Sequence, residues 1–459
     1  MLEELKLYFG ENRDVISGSS PGRLDVMGGV ADYSGSLLLQ MPIRERTTVY
    51  LALRPDSQIR VRSLTAMAAN LTPEVTVSLD ADWQNNLADY QAFREKILGI
   101  PGGDWAIYVL GCFYLLAKEK QVSFLGADVL IQSEVPFGKG VSSSAAIEVA
   151  TLITLNKSYN LELDKLELPI LAQKVENLVV GAPCGLMDQL SSFLGEQNKL
   201  LPIICQPVQV FPAVSIPEKI NFIGLDSGVK HSVSGAAYTK VRVAAFMGYT
   251  IIAATLGASP AQIAEARETG IKTELPFGGY LANISPPEFE KKFSALLPER
   301  ITGKEFKTRF GSTIDMVTQI RDEEIYAVRS CTTHPIYEND RVNKFKNLLQ
   351  SLENSASTGN QNLLKEAGEL MYASHQSYSV CGLGNEHTDE LVDMVRAVGP
   401  DQGVFGAKIT GGGSGGTVCI LAFDTLGINT VHNIRERYAK KYQQEITIFM
   451  GSSPGGFYS

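Results

Sequence analysis

The chain has 459 residues, with 41 Lys+Arg against 50 Asp+Glu, 44% apolar and 20% charged, the profile of an ordinary globular protein. At roughly 100–200 residues per domain the length allows about two to four domains, and a chain this long buries a large core without disulfide staples. The formal net charge of −9 is spread along the chain with no basic stripe to engage phosphate backbones, which argues against nucleic acid as a partner.

The N-terminal MLEELKLYFGENRD lacks the basic start and continuous apolar run of an export signal, and reads as a short amphipathic helix carrying Leu2, Leu5 and Phe9. Alternating β-rich runs follow (TTVYLALRP, IRVRSL and EVTVSLD), then a helical stretch over Trp105–Lys118 and the strand-like ADVLIQSEV. Next come the helix-like AAIEVATLITLNKSYN and LPILAQKVENLVV, the second ending at GAPCG, and the strand-like KLLPIICQP and INFIGLD. The longest uncharged stretch, VAAFMGYTIIAATLGASPAQIA after Arg242, is interrupted by Thr, Ser, Gln and Pro260. Its apolar part is short for a bilayer of about 30 Å, so a buried helix is expected and no membrane span. The second half reads as mostly helical to residue 400, and closes on VFGAKIT and TVCILAF around a glycine cluster, then a helix and a strand. This is mixed α+β, not the regular alternation of a doubly wound sheet. Cys112, Cys184, Cys205, Cys331, Cys381 and Cys419 lie far apart, with no CxxC pair and no histidine at ligand spacing, and read as reduced core thiols of a cytosolic protein.

Three segments carry chemistry. Pro136-Phe137-Gly138-Lys139-Gly140-Val141-Ser142-Ser143-Ser144-Ala145-Ala146 lies between a strand-like and a helix-like run. Small residues opening a helix make an anion site, because free N–H groups and the positive end of the helix dipole face the ligand. A Ser N-cap after an ordinary glycine turn fits the same composition. Gly138-Lys139-Gly140 lacks the GK[ST] ending of a Walker A loop. Thr410-Gly411-Gly412-Gly413-Ser414-Gly415-Gly416 spells both GxGxxG and GxSxG. The next segment is strand-like and 43 residues remain, so neither a dinucleotide-binding unit nor a nucleophile elbow fits. Apolar strands on both sides predict a tight loop that approaches a ligand or another segment, rather than a flexible linker. SPGRLDVMGGVADYSG, residues 20–35, sets Arg23, Asp25 and Asp32 among glycines. That suits a polyhydroxylated or phosphorylated ligand, and equally a loop closed by a salt bridge.

In this order the segments resemble the signatures of the GHMP kinase family, its galactokinase-like sugar-kinase branch above all. PGRLDVMGGVADYSG resembles the galactokinase signature, PFGKGVSSSAA the ATP-binding loop and KITGGGSGG the third motif. GAPCGLMDQ, HPIYENDRV and GELMYASHQS extend the likeness over nearly the whole chain, and the first two count against a mevalonate-type kinase acting on an acidic substrate. The resemblance implies an α+β protein of two units: a ribosomal-S5-domain-2-like α/β domain over residues 1–215 and a ferredoxin-like domain over 216–459, with the site in the cleft between them. It implies ATP and Mg2+, with Pro136, Gly138, Lys139, Gly140, Val141, Ser142, Ser143, Ser144, Ala145 and Trp105 at the nucleotide and Ser144 with Glu176 at the metal. From the residues alone Glu176 reads as a solvated helix position. Asp188 would take the proton of the attacking sugar hydroxyl, and Arg23 would stabilise charge on that oxygen and on the transferred phosphoryl group. A structural ion pair between the two is the other reading. Asp32, Gly185 and Tyr238 would contact the sugar beside Arg23 and Asp188.

Gly29 and Val30 stand where the galactokinase signature carries Glu-His, a pair that contacts the hydroxyl on carbon six. Leaving that hydroxyl unpaired in a buried site costs about 1–3 kcal/mol. L-arabinose keeps the ring hydroxyl pattern of galactose without carbon six, and GRLDVMGGVADYSGSLLLQMPI and MYASHQSYSVCGLG resemble kinase domains of the L-arabinokinase type. The expectation is an ATP-dependent sugar 1-kinase, with L-arabinose as first substrate and D-galactose as second. A catalytically inactive sugar- and ATP-binding sensor is the alternative class. The expected partners are these small molecules, with neither nucleic acid nor membrane, in a cytoplasmic monomer or homodimer.

Overall fold

The computed structural model describes residues 2–79, 83, 89–230, 236–354 and 360–459. After a helix over Leu2–Phe9 come strands β1 (Ile16–Met27), β2 (Leu37–Arg54), β3 (Gln58–Ser63), β4 (Glu74–Ser78), β5 (Gly126–Ser133), β6 (Lys199–Cys205), β7 (Val208–Val210) and β8 (Val214–Ser215). They form one sheet in the order β4-β3-β5-β2-β6-β7, with β1 on β2 and β8 on β6. β3 and β5 run parallel, and the other pairs are antiparallel. The helix Ser143–Tyr159 lies across β1 and β2. Its small residues allow this: at Gly18 of β1, the space a side chain would need is taken by Ala150 O and Thr154 Oγ1.

A second sheet joins β9 (Ile220–Asp226), β12 (Val404–Ile409), β13 (Thr417–Phe423) and β14 (Ile448–Phe449), all antiparallel, in the order β12-β13-β9-β14. With a long helical excursion after β9 and the helix Asp424–Tyr442 after β13, this is the order of a ferredoxin-like unit. The excursion holds helices over Ala236–Thr255, Pro260–Thr269, Val328–Asn354, Gln361–Cys381 and Glu386–Val398, and a small ribbon of β10 (Ile301–Thr302) and β11 (Ile325–Tyr326). The uncharged stretch after Arg242 is the buried helix expected, Val243 to Ala253 being inaccessible. Among the described residues no helix is long and apolar enough to cross a membrane.

β1 joins the two halves. Leu24, Val26 and Met27 pack with Phe222 of β9, Phe345 and Met371 of the long helices, and Phe405 and Leu421 of the second sheet. Burial on both sides explains why its inner half, LDVM, is apolar without strict alternation.

The structure revises several local expectations. SPGRLDVM, open to a loop reading, belongs to β1, which ends before Gly28; Pro21 is tolerated because the pairing with β2 shifts register between Pro21 and Arg23. LPILAQKVENLVV is a regular helix only to Lys174, and widens into a π-helical turn over Val175–Val180. In EVTVSLD the strand ends at Ser78 and Asp80 lies outside the described residues, as do Met1 and residues 231–235 before Tyr238. The six cysteines are free and five are buried, but Cys184 is partly exposed on the wall of a cavity.

Candidate active site

A cavity of about 390 Å³ opens between β1, residues 134–142, the starts of the helices at Met187 and Ala236, and the glycine loop after β12. Small-molecule sites typically span roughly 300–1,000 Å³. Arg23, Val30, Asp32, Trp105, Gly138, Gly140, Ser142, Ser143, Ser144, Glu176, Gly185, Asp188 and Tyr238 all reach its wall. Gly29, Pro136, Lys139, Val141 and Ala145 do not line it. Lys139 turns its ammonium onto the buried Asp226 at 2.5 Å, and its carbonyl accepts from Thr417 Oγ1 at 2.7 Å. Val141 and Ala145 are core residues, Val141 fastening the loop to β1 by accepting from Arg23 N at 3.1 Å.

The register shift in β1 aims Arg23 across the cavity floor, where its side chain is almost fully buried. It donates from Nε and Nη2 to the two carboxylate oxygens of Asp188, in the first turn of the helix Met187–Leu194, and from Nη1 to Gly140 O. The strand, the Ser-rich loop and the helix therefore meet at one guanidinium.

Gly138, Gly140 and Ser142 adopt φ of 70°, 72° and 60°, which folds the loop tightly before the helix Ser143–Tyr159. Ser142 holds the N-cap position, but its hydroxyl makes no capping bond and is buried without a partner. The ordinary N-cap reading is therefore not what is built. The first-turn N–H groups, lacking a side-chain cap, give this end of the cavity an anion-binding character.

The wide turn after Lys174 carries Glu176 inward, so it is buried rather than solvated. Its carboxylate accepts from the Ser144 hydroxyl, from Gln189 Nε2 at 2.8 Å and from the Cys184 thiol at 3.6 Å. Burial, then the charge of Asp188, pushes its pKa up to about 7 against those hydrogen bonds. Behind it Glu148 is pushed well above the carboxylate range by burial and then by Glu176. Among the described residues no three His, Cys, Asp or Glu side chains converge as a metal cluster. The Ser144 hydroxyl and Glu176 carboxylate are nevertheless hard oxygen donors that fit Mg2+, which typically takes one or two protein ligands beside phosphates and water.

At the other end Asp32 opens a short turn, nearly inaccessible, with Oδ1 accepting from Tyr238 Oη at 3.2 Å. Burial raises its pKa, the Arg242 charge opposes that, and Asp188 adds to it. Gly185 is required here, because a Cβ would overlap Asp32 Oδ2. Val30 sits at φ 60°, a strained conformation for a β-branched residue, and presents an apolar wall beside Asp32. Its predecessor is fixed behind the wall: His334 Nε2 bonds Gly29 O at 3.1 Å, and a Cβ on Gly29 would overlap Tyr378 Oη and Asp25 Oδ2.

The glycine loop is pinned, not flexible. Gly411 N donates to Asp25 Oδ2 at 3.3 Å, Tyr378 Oη to Gly411 O at 3.0 Å and Ser414 N to Leu383 O at 2.8 Å. Asp25, placed by its sequence among the candidate ligand-binding charges, does not line the cavity and is wholly buried on Lys408 Nζ at 2.9 Å and Gln40 Nε2 at 2.7 Å. A lysine inside the apolar strand VFGAKIT was the available signal, because a charge on a buried strand requires a buried partner.

Residues 107–196 match the family model of the GHMP kinases N terminal domain, and residues 349–440 that of the GHMP kinases C terminal. The chain thus carries both the N-terminal and the C-terminal domain of the GHMP kinases. It is 39% identical to the L-arabinokinase of Arabidopsis thaliana across 97% of its own length and 46% of that protein, so it spans about half of that relative. Among solved structures it is similar to the Lactococcus lactis galactokinase complexed with galactose, with TM-score 0.72 and 20% identity, covering 99% of this chain and 97% of that one. The Methanococcus jannaschii mevalonate kinase aligns with TM-score 0.54 and 15% identity, covering 96% and 98%. The two-domain GHMP kinase fold expected from the motifs is thus the fold observed.

Proposed function

We propose that this chain is a sugar 1-kinase that transfers the terminal phosphoryl group of ATP to the anomeric hydroxyl of L-arabinose. The observation that carries the reading is the Arg23–Asp188 pair, set between an uncapped Ser-rich helix start and the carboxylate of Asp32. The phosphates would lie on the loop at 138–144, with Trp105 further along the same wall. Ser144 and Glu176 would hold Mg2+, which when bound neutralises phosphate charge. Asp188 accepts the anomeric proton as the sugar oxygen bonds to phosphorus and the bond to the ADP oxygen breaks. Arg23 stabilises the charge passing through both oxygens, and positioning with electrostatics supplies most of the rate.

Asp32 accepts neighbouring sugar hydroxyls; Tyr238 donates to one of its oxygens, and the missing side chain at Gly185 leaves room for the other. Val30, with Gly29 closed off by Tyr378 and Asp25, offers no polar partner for a hydroxyl on carbon six. D-galactose is therefore the second substrate, and the presence of Asp188 and Ser144 favours turnover over a sensor role. The same reading makes the protein cytoplasmic, a monomer or homodimer, with its units dividing at 215/216.

ADP release with MgATP across L-arabinose, D-galactose, D-glucuronate and mevalonate tests it. L-arabinose should exceed D-galactose in kcat/KM by about tenfold or more, the equivalent of one buried unpaired hydroxyl. A higher value for D-galactose overturns the substrate assignment. Tight sugar binding without turnover of any of the four overturns the enzyme assignment in favour of the sensor.

A further inference from the structure

Arg242 is 1% exposed in the helix Ala236–Thr255, one turn after Tyr238. Its charge acts on two buried carboxylates, Asp315 and Asp32, and it pairs with the first alone. Nε donates to Asp315 Oδ2 at 2.9 Å and Nη2 to Oδ1 at 2.8 Å, while Nη1 makes no hydrogen bond of good geometry and the guanidinium stands beside the Tyr238 hydroxyl, whose pKa burial raises against the pull of that charge. The guanidinium also rests on the rings of Tyr33, 5.5 Å away, and Phe246, 5.8 Å away. Asp315 is held in turn by Thr318 Oγ1 at 2.5 Å and Val317 N at 3.2 Å. Arg267 braces that segment through Thr318 O at 2.8 Å and Thr313 O at 3.3 Å. Neither Asp315 nor Arg242 lines the cavity.

Resting on the sugar-kinase reading, we propose that the Asp315–Arg242 pair is a positioning device for the sugar. It keeps a guanidinium close to Asp32 without letting it occupy the carboxylate oxygens that accept hydroxyls. A buried Arg with one uncommitted nitrogen would otherwise close on the nearest carboxylate, because an incompletely paired buried charge is costly. Asp315 takes both of the committed nitrogens in a bidentate fork, and the planar geometry of that fork fixes where the third points. The Arg242 charge still reaches Asp32 and Tyr238, so the sugar-facing carboxylate is supported at a distance. A segment 73 residues from Arg242 in sequence thereby sets the geometry of the sugar end.

The test compares wild type with Asp315→Asn, Arg242→Lys and the charge-free double variant Arg242→Met/Asp315→Leu, on the full chain with MgATP and the preferred sugar of the panel. Asp315→Asn removes the charge and one of the two acceptors of the fork, which loosens the guanidinium, and should raise sugar KM about tenfold while ATP KM and kcat at saturating sugar stay within about twofold. Arg242→Lys retains the charge without the fork, and should fall between that variant and wild type. Should Asp315→Asn not fold, the double variant removes both charges of the pair together, and with them the support of Asp32, so its sugar KM should still rise alone. A parallel rise in both KM values, or an unchanged sugar KM, overturns the proposal. Failure of the kinase reading shows separately, as a wild type without turnover. The same variants are then judged by sugar and ATP dissociation constants from calorimetry, with the same split expected and the same outcomes overturning the proposal.

Discussion

Arg23 closes on Asp188 with two roughly parallel hydrogen bonds, 2.9 Å from Nε to Oδ1 and 3.1 Å from Nη2 to Oδ2, across 165 residues of sequence. The partners differ in exposure: the Arg23 side chain is 4% accessible and that of Asp188 23%. The arginine is therefore a fixed part of the wall, its Nη1 committed to Gly140 O at 2.8 Å, and the carboxylate is the member that faces the cavity. A purely structural pair has no need of that asymmetry or of an open cavity beside it.

Asp188→Asn preserves the shape and one of the two contacts to Arg23, because the amide nitrogen cannot accept, and removes the proton acceptor. On the kinase reading kcat should fall by about 10²–10⁴-fold, with both KM values close to wild type. Single-turnover phosphorylation of the sugar checks it, and a variant retaining the wild-type rate would remove Asp188 from the role of base.

Glu176→Gln tests the metal pair without disturbing packing, since the amide fills the same volume. The Mg2+ concentration for half-maximal rate should rise about tenfold or more at fixed ATP, with sugar KM unaffected. A magnesium titration of the two proteins decides it, and coincident curves would assign Glu176 to structure alone.

The legibility of this chain in its sequence follows from the physics of each segment. INFIGLD and AAIEVATLITLNKSYN announce themselves because a buried element shows a long uninterrupted apolar signal. β1 does not, because Gly18, Pro21 and Gly22 read as turn residues; only its pairing with β2 and the local register shift make them strand residues. Glu176 has the spacing of a solvated helix face, and the wide turn that buries it leaves no periodic mark. Asp188 enters as a candidate through motif resemblance alone, whereas Arg23 and Asp32 also stand out as charges set among glycines. Asp315 carries no motif and becomes visible only when the tertiary contacts bring it to Arg242, whereas Lys408, a charge inside an apolar strand, announces a buried partner without identifying Asp25.

Gly185→Ala is a test of the sugar end by volume alone. The new Cβ would overlap Asp32 Oδ2, so either the carboxylate turns away from the cavity or the segment before Met187 moves. Sugar KM should rise by about tenfold or more, with a smaller change in ATP KM, because the Ser-rich loop is a separate segment. Steady-state kinetics varying each substrate in turn measures the split. Equal changes in both constants would show that residue 185 acts through the whole helix and not through Asp32.

His334 makes stability depend on acidity. It is buried behind Gly29, with Nδ1 on Ser377 Oγ at 2.7 Å and Nε2 on Gly29 O at 3.1 Å. Because a carbonyl can only accept, Nε2 carries the proton and Nδ1 accepts from the serine, which satisfies a neutral ring. Burial lowers its pKa from 6.5 to about 4, overriding the nearby Glu338. Above the unfolded value both states are neutral and the residue adds no pH dependence. As pH falls from about 6.5 toward 4 the unfolded chain binds a proton that the folded chain refuses, and about 3 kcal/mol of stability is lost. Glu338 adds in the same direction: against its burial, Arg341 and then His334 hold its carboxyl below the usual range, so its protonation also favours unfolding. Urea unfolding at pH 7, 5.5 and 4.5 should show a steep acid loss in wild type and a shallower one in His334→Gln, whose amide can still donate to Gly29 O. Parallel losses in the two proteins would place the acid sensitivity in the carboxylates instead.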